Sequence, residues 1–333
     1  MSGGSSQRFI SIHLLLNNEE MDEIDRRLII LLCESARMPV RELSDRLGLS
    51  RQAVQKRLLV LKSIGVFKNA CACISPYYLN AIPVMVFGHS SGETPKEVLD
   101  GLGESELTRH AIACGGEHYY VTGMLRNTSE LHYYVRFVTK AARLTDPTVG
   151  MFSLHDGIMP DGVDGVRKKE SYRALAPIDL KIIDSLRGDI RRPLGEIADT
   201  LGVSTRTVNR HLEIMISEGI LDFDLPVDIS SGADVYSIVE VYLRKNADNV
   251  EVGRRLLSIF PLHTLWIRSF SNLPAFLLCT ISGSKMAEIR IVLNGIDQDE
   301  SVAGVAPNVL CFERQYESWR ERLPTAVASF AGK

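Results

Sequence analysis

Near the start of the chain, apolar residues recur at helical spacing in three short segments. The first is Ile24–Glu34, and the second, Val40–Gly48, ends on a glycine, a residue typical of a helix C-terminal cap. The third runs from Ser50 to Ile64, with the serine where a helix N-cap belongs. The tight turn between the second and third segments favours a helix-turn-helix. Periodicity alone would also fit a three-helix bundle with no DNA role.

The same pattern occurs twice in the chain. Residues 24–67 align without a gap with residues 178–221, at a constant offset of 154 positions. Identical pairs include Ile24 and Ile178, Asp25 and Asp179, Arg37 and Arg191, Pro39 and Pro193, Glu42 and Glu196, Val54 and Val208, Leu58 and Leu212, and Gly65 and Gly219. In the first copy Val66-Phe67 begins a strand after the third helix, which is typical of a winged helix-turn-helix. The chain therefore contains a duplicated unit of about half its length.

After each helix-turn-helix the pattern changes to alternating or wholly apolar runs separated by glycine. In the first copy we predict strand Pro83–Gly88, helix Pro95–Leu102, strands Leu107–Cys114 and His118–Leu125, helix Ser129–Ala142 and strand Thr148–His155. In the second copy we predict strand Tyr236–Leu243, helix Val250–Phe260, strands His263–Phe270 and Ala275–Ile281, helix Lys285–Asn294 and strand Val305–Phe312. The order βαββαβ predicts a ferredoxin-like antiparallel sheet with two helices on one face. The open face needs covering, so the two sheets are expected to pair within one chain or across a dimer.

The predicted fold class is α+β, with two winged helix-turn-helix modules alternating with two ferredoxin-like (βαββαβ) ligand-sensing modules. A stretch rich in glycine, proline and charge separates the copies. The predicted domains are an N-terminal arm (1–20), helix-turn-helix module 1 (21–75), sensing module 1 (76–155), the linker (156–174), helix-turn-helix module 2 (175–230), sensing module 2 (231–323) and a tail (324–333).

Charge distinguishes the two copies. The whole chain carries a net charge of -3, which by itself gives no support for a nucleic-acid partner. Residues 21–68, however, contain ten Lys or Arg and six Asp or Glu, a net +4, whereas residues 175–222 contain six and eight, a net -2. Because phosphate attraction dominates affinity for DNA, the first module is expected to be the stronger binder of double-stranded DNA.

Candidate DNA contacts lie on the third helix of each copy, whose N-terminal half enters the major groove in helix-turn-helix proteins. Arginine and glutamine suit base edges, and lysine and arginine also hold phosphates. The candidates are Arg51, Gln52, Gln55, Lys56, Arg57 and Lys62 in the first copy, and Thr205, Arg206, Asn209 and Arg210 in the second. Arg57 has two predicted roles, a phosphate contact or a pair with an acidic neighbour.

The sequence offers little evidence for catalysis. It contains no P-loop, dinucleotide fingerprint, paired-carboxylate pattern or nucleophile elbow. We therefore predict that the chain is not an enzyme and needs no cofactor. Cys71, Cys73 and Cys114, with His110 or His118 as a fourth ligand, form a possible zinc set, but isolated buried cysteines are commoner in strands, so no metal site is predicted.

No apolar run reaches the ~18 residues needed to span a membrane. The short apolar piece near the start lacks a small-residue cleavage pattern and is interpreted as a flexible or edge-strand arm, not a signal peptide. Six cysteines without framework spacing favour a reduced, cytoplasmic protein.

The first helix-turn-helix, MDEIDRRLIILLCESARMPVRELSDRLGLSRQAVQKRLLVLKSIGVF, resembles the Lrp/AsnC (feast/famine) regulators. It follows that family's D-x-x-D-x-x-I-L start, its L-[GS]-[LV]-S turn and its G-[VI]-[IL] entry to the wing. The usual family chain is a single unit, so this chain resembles a tandem duplicated form. The resemblance implies a DNA-binding transcription regulator that forms dimers.

The resemblance also implies that the sensing modules bind an amino acid or other small-molecule effector near a G-D-[FY]-D-Y segment. Gly115-Gly116-Glu117-His118-Tyr119 aligns with it in the first copy and Ser271-Asn272-Leu273-Pro274-Ala275-Phe276 in the second, and both lack its acidic residues. Effector candidates are Gly115, Gly116, His118, Ser271 and Asn272. Modules that serve only to oligomerise the protein are the alternative.

Two further alternatives remain. Siroheme decarboxylases also resemble Lrp/AsnC proteins, and some are tandem fusions; the resemblance implies histidine and arginine in a sensing-module cavity, for which Arg109, His110 and His118 are candidates. An architectural DNA-binding protein that wraps DNA is the other alternative.

Overall fold

The computed structural model describes residues 21–66, 71–92, 94–153, 158, 172–224 and 234–323. The predicted N-terminal arm and C-terminal tail and most of the predicted linker lie outside these residues, as do Phe67 and His155 at the ends of two predicted strands.

The first helix-turn-helix consists of α1 (Glu23–Glu34), α2 (Val40–Leu47) and α3 (Arg51–Ser63). Helix α1 begins with a capping box, in which the backbone amides of Asp22 and Asp25 each donate to the other's carboxylate. Gly48 takes a left-handed φ of 66° and ends α2. The Ser50 hydroxyl accepts a hydrogen bond from the Ala53 amide (3.2 Å), so the short turn leads directly into α3.

The rest of the first copy comprises β1 (Cys71–Ile74), α4 (Pro76–Leu79), β2 (Ile82–Ser90), α5 (Pro95–Leu102), β3 (Thr108–Cys114), β4 (His118–Leu125), α6 (Glu130–Ala141) and β5 (Leu144–Met151). The second copy comprises α7 (Pro177–Ser185), α8 (Leu194–Leu201), α9 (Thr205–Ser217), β6 (Leu221–Asp224), β7 (Val235–Leu243), α10 (Asn249–Ile259), β8 (Thr264–Phe270), β9 (Leu273–Gly283), α11 (Met286–Asp297) and β10 (Val302–Gln315). The predicted α+β class, with two helix-turn-helix modules and two βαββαβ modules, is confirmed.

Strand β5 begins at Leu144, four residues before the predicted start at Thr148. The additional residues include Asp146-Pro147, and β5 is an outer strand of the sheet, where a proline without an N–H group is tolerated. Asp146 adopts a positive φ of 52°, and the pairing of β2 with β5 shifts register at this point. The bulge keeps the strand paired on both sides of the proline.

The two sensing modules form one eight-stranded sheet in the order β5-β2-β4-β3-β10-β7-β9-β8. Antiparallel pairing of β3 with β10 joins them, with Cys114 opposite Leu310 and His110 opposite Gln315. Of the two arrangements expected from the sequence, the sheets therefore pair within one chain.

The outer strands of this sheet also approach each other. The Ser271 amide donates to the Met151 carbonyl (2.8 Å) and the Ser153 amide to the Ser269 carbonyl (3.1 Å). Phe270 of β8 lies over Gly150 of β5, on the inner face of the sheet. The sheet thus curls around an apolar interior, while helices α5, α6, α10 and α11 cover its outer face.

The helix-turn-helix modules contact the opposite halves of the chain. Strands β1 and β6 pair antiparallel in a separate two-stranded sheet. Arg26 of α1 pairs with Asp234, directly before β7, and Tyr236 and Trp266 of the second sensing module pack into the core of the first helix-turn-helix. Each half therefore holds part of the other in place.

Candidate DNA-reading surface and ligand cavity

The exposed face of α3 carries the first-copy residues predicted to contact DNA. The exposed side chains are Arg51, Gln52, Gln55, Lys56 and Lys62. Helix α3 contains no acidic residue. The arrangement presents hydrogen-bonding side chains toward solvent together with a local excess of positive charge, which suits phosphate and base-edge contacts.

Arg57 is held within the module. Its guanidinium lies 2.7 Å from an Asp25 carboxylate oxygen and 2.8 Å from one of Asp22. The hydrogen bond that Arg57 donates to the Asp25 carboxylate is the largest cause that raises the pKa of Arg57. Of its two predicted roles, the structure shows the pair with acidic neighbours, which ties α3 to α1. In the second copy His211 and Asp179 occupy the same two positions, with Nδ1 2.8 Å from Oδ1.

Helix α9 offers a different surface, although Thr205, Arg206, Asn209 and Arg210 are all exposed as predicted for DNA contact. The Asn209 amide donates to the Glu213 carboxylate (2.7 Å). Glu213 is itself exposed and stands where the first copy has Leu59. A carboxylate on this face opposes the approach of phosphates.

A cavity of about 640 Å³ opens in the curled sheet, between the two sensing modules. Its aromatic wall is formed by Phe87, Tyr242 and Phe276. Thr145, Asp146 and Thr148 of the bulged part of β5 line it as well, and His89 and His118 contribute imidazoles. Bulges often re-aim side chains, and this one places Thr145, Asp146 and Thr148 of one short stretch along the cavity.

Glu240 of β7 is a buried carboxylate in the cavity wall, only 5% exposed. Its carboxylate accepts hydrogen bonds from the hydroxyls of Tyr120 (2.8 Å) and Tyr242 (2.6 Å). His118 Nε2 lies 3.2 Å from the same carboxylate. The Asn308 amide donates to the Tyr120 hydroxyl (2.9 Å), so the network joins the two modules.

The network keeps Glu240 ionised. Burial acts to raise the pKa of Glu240, but the adjacent His118 imidazole and the hydrogen bonds from Tyr242 and Tyr120 outweigh it and hold the pKa below its usual range. Burial, followed by the neighbouring carboxylate, raises the pKa of Tyr242 to about 12 and that of Tyr120 further still. The wall therefore holds a fixed negative charge with neutral phenol donors around it.

Sequence reasoning did not identify Glu240. The available signal was a single acidic residue within the apolar strand VYSIVEVYL. A charge in that position is expensive unless it is paired or functional.

Two of the five predicted effector residues, His118 and Asn272, line the cavity. Asn272 also bridges the outer strands, because its amide donates to the Val149 carbonyl (2.8 Å) and its side-chain oxygen accepts from the Met151 amide (2.8 Å). This side chain thus has a structural role at the edge of the cavity.

The other three predicted effector residues lie outside the described lining of the cavity. Gly115 and Gly116 form a short 3-10 turn before β4, where Gly116 has a φ of 71°. The Ser271 hydroxyl donates to the Met151 carbonyl (3.3 Å).

Arg109 and His110, considered for tetrapyrrole chemistry, pair with residues near the end of the chain. Arg109 lies 3.3 Å from the Glu321 carboxylate and His110 Nε2 lies 3.3 Å from that of Glu313. Only His118 of the three candidates is part of the cavity lining.

Among the described side chains, no group of three or more His, Cys, Asp or Glu could hold a metal ion. Cys73 is buried in β1 and Cys114 in β3, while the side chain of Cys71 lies outside the described residues. No helix in the described part of the chain is both long and apolar enough to cross a membrane.

Comparison with known proteins gives matches to both DNA-reading modules. The AsnC-type helix-turn-helix domain matches residues 21–62, and a winged helix-turn-helix DNA-binding family matches residues 175–222. The HTH-type transcriptional regulator LrpA of Pyrococcus horikoshii is 31% identical over 99 residues, which cover 29% of this chain and 70% of that protein.

The whole fold matches two solved structures of the siroheme decarboxylase NirDL. One has a TM-score of 0.56 at 16% identity and covers 94% of this chain and 100% of that chain. The other, in co-complex with an iron-uroporphyrin III analogue, has a TM-score of 0.55 at 15% identity and covers 93% of this chain and 100% of that chain. At these identities the likeness shows a shared fold.

The prediction that the chain is not an enzyme is wrong, because it excluded every enzyme. The siroheme decarboxylase NirDL, an enzyme, has the same fold over nearly the whole chain. The prediction relied on the lack of known catalytic motifs. A site built from residues of separate strands leaves no such motif, and one fold can host unrelated functions.

Proposed function

Since the chain belongs to the Lrp/AsnC family of DNA-binding regulators, we propose that it is a sequence-specific transcription regulator that reads double-stranded DNA chiefly through α3. The observation that carries the proposal is the exposed face of α3, which presents Arg51, Gln52, Gln55 and Lys56 with no acidic residue in the helix. Helix α9 reads a second half-site more weakly, because Glu213 lies on its exposed face. The protein acts in the cytoplasm.

The test is selection of binding sites from random DNA, followed by footprinting. The variant Arg51→Ala/Lys56→Ala is expected to lose affinity roughly 30-fold and to lower the salt slope by about 2, because two cationic contacts are removed. The variant Arg206→Ala/Arg210→Ala is expected to lose less than about fivefold.

The matched control is Arg136→Ala/Lys140→Ala, which removes two exposed cations from α6, away from both recognition helices. Equal losses in all three double variants would contradict the proposal. Footprints that spread without sequence preference would instead support an architectural role.

We propose further that the cavity beside Glu240 binds the effector, and that two chains associate. Support for a ligand comes from the cavity's volume and buried network. Large apolar side chains exposed on outer helices, such as Tyr133 and Ile291, support association. Sedimentation would show a species of twice 37.0 kDa; a monomer at all concentrations would overturn this part.

A second candidate function is tetrapyrrole decarboxylation in the same cavity. The shared fold with NirDL and the presence of His118 in the lining favour it. Incubation with an iron tetrapyrrole would then produce a shifted Soret band, and purified protein would fail to retard DNA. The reverse pair of results supports the regulator.

A further inference from the structure

We propose that the cavity binds an organic ammonium ion with an apolar or aromatic body. This inference rests on the proposed function, since it names the chemical class of the effector. It depends on three features of the cavity: the sign of its charge, its aromatic wall and the capacity of its buried carboxylate.

Apart from the imidazoles of His89 and His118, the groups of the cavity lining that carry charge at neutral pH are carboxylates. Glu240 lies in its wall and the exposed Asp146 lies at the bulge on its rim, while the described lining residues include no lysine and no arginine. A cationic group entering the cavity gains a carboxylate partner. A carboxylate entering it would lose water and face two like charges, which is unfavourable.

The aromatic wall suits the same ligand. The rings of Phe87 and Phe276 stack with centroids 5.6 Å apart, and the Tyr242 ring meets Phe276 edge-on at 5.5 Å. Aromatic faces attract ammonium groups, and more strongly where water is excluded. The apolar remainder of the lining, including Leu273 and Pro274, accommodates the body of the ligand.

Glu240 has capacity for a further donor. Its two oxygens offer about four acceptor positions, and the described contacts are Tyr120, Tyr242 and His118. An ammonium N–H can take the remaining position without breaking the network. The same carboxylate is held rigid by its donors, so little ordering is required on binding.

These features favour the binding of an amine over the binding of the corresponding α-amino acid. The two share the ammonium group and the body, but the amino acid adds a carboxylate, for which the described lining provides no lysine or arginine partner. A substrate of a decarboxylase also carries a carboxylate and is disfavoured for the same reason.

The experiment is isothermal titration calorimetry of the full chain with three probes that share a phenyl body. Phenethylamine is expected to bind at least tenfold more tightly than L-phenylalanine, and 3-phenylpropionate is expected not to bind. Equal or tighter binding of either carboxylate-bearing probe, or no binding of phenethylamine at millimolar concentration, would overturn the proposal.

Substitutions of cavity residues test whether phenethylamine binds in this cavity. Glu240→Gln is expected to weaken phenethylamine binding at least tenfold, and Asp146→Asn at least threefold. Asparagine tolerates the positive φ of position 146, so this variant remains informative if Glu240→Gln does not fold. Glu251→Gln, an exposed position on α10, is the control and should leave the dissociation constant unchanged. Unchanged binding in both cavity variants would overturn the proposal.

DNA retardation without any amine separates the two proposals. A protein that retards DNA but ignores phenethylamine contradicts only the ligand class. A protein that binds phenethylamine through Glu240 but retards no DNA contradicts the regulator and leaves the amine site standing.

Discussion

Arg26 and Asp234 form a two-pronged ion pair, with Nε 2.8 Å from Oδ2 and Nη2 3.1 Å from Oδ1. The pair connects α1 of the first DNA-reading module to the residue before β7 of the second sensing module. The Asp234 side chain is 2% exposed, so it depends on the guanidinium for its charge compensation. Glu240 lies on β7, so this one strand extends from the ion pair with the first helix-turn-helix to the wall of the cavity.

Replacement of Arg26 by methionine is therefore expected to lower the free energy of unfolding by about 3 kcal/mol, because it leaves a buried carboxylate unpaired. Urea denaturation followed by circular dichroism would measure the change. Arg27→Met is the matched control, because Arg27 is half-exposed and pairs with the exposed Glu23; its effect is expected to stay below about 1 kcal/mol. Similar effects for both variants would contradict a special role for the pair.

Asp179 should contribute stability that depends on pH. Burial acts to raise the pKa of Asp179, but hydrogen bonds from Arg173, His211 and the Ala176 amide outweigh it and leave the pKa below its ordinary value of 3.8. A depressed pKa in the folded state means that the stabilisation is complete above the unfolded value and is lost as the pH falls through the folded value. Asp179→Asn is expected to cost about 2 kcal/mol at neutral pH.

The difference between wild type and Asp179→Asn in urea denaturation should shrink as the pH falls below about 4. The exposed Asp45, whose carboxylate lies 4.0 Å from Arg41, provides the control substitution Asp45→Asn, with a small effect. If the difference in the free energy of unfolding between wild type and Asp179→Asn grew as the pH fell, it would contradict a lowered pKa of Asp179.

Removal of the carboxylate on α9 should strengthen DNA binding. Glu213→Gln removes a negative charge from the recognition surface while preserving a partner for Asn209. An increase in affinity of about threefold at low salt is expected, and it should vanish at high salt. Fluorescence anisotropy with a selected DNA site measures it, with Glu251→Gln as the remote charge control. No gain would indicate that α9 does not approach the phosphates.

Gly150 tests the closure of the sheet. A Cβ at this position would overlap the Phe270 ring of the opposite outer strand. Gly150→Ala is expected to cost about 1–3 kcal/mol through overpacking. Gly304→Ala, where a Cβ meets no atom within 4 Å, is the control and should be nearly neutral in thermal denaturation. Equal stability of the two variants would argue against this contact.

Periodicity and repetition identified most of the fold. Helix α5 (Pro95–Leu102) and strand β4 (His118–Leu125) have the predicted bounds, because each shows a clear local period and ends at a strong local signal. The start of β5 was missed because Asp-Pro ordinarily marks a turn. Only its position at the edge of the sheet, a tertiary property, makes the proline acceptable.

The site was less accessible to sequence reasoning. The exposed residues of α3 follow from helical periodicity alone, since the N-cap at Ser50 sets the face. Tyr120 and His118 of β4 and Glu240 of β7, in contrast, come from two strands that are brought together only when the two sheets join. No local pattern records that pairing. Alignment with the family's effector segment found His118 and Asn272 of the cavity lining, but it missed Glu240 and Tyr120 and also led to Gly115 and Ser271.

Strands β3 and β10, which join the two copies of the unit, belong to one and the same chain. In an assembly of identical single-unit chains, every substitution is present twice, and assembly weakens on dilution. Here the two halves are covalently tethered, so their ratio stays one to one at any expression level and their effective concentration is set by the tether. Each half can change independently of the other, which allows a first helix-turn-helix of net charge +4 and a second of net charge -2 to persist within one molecule.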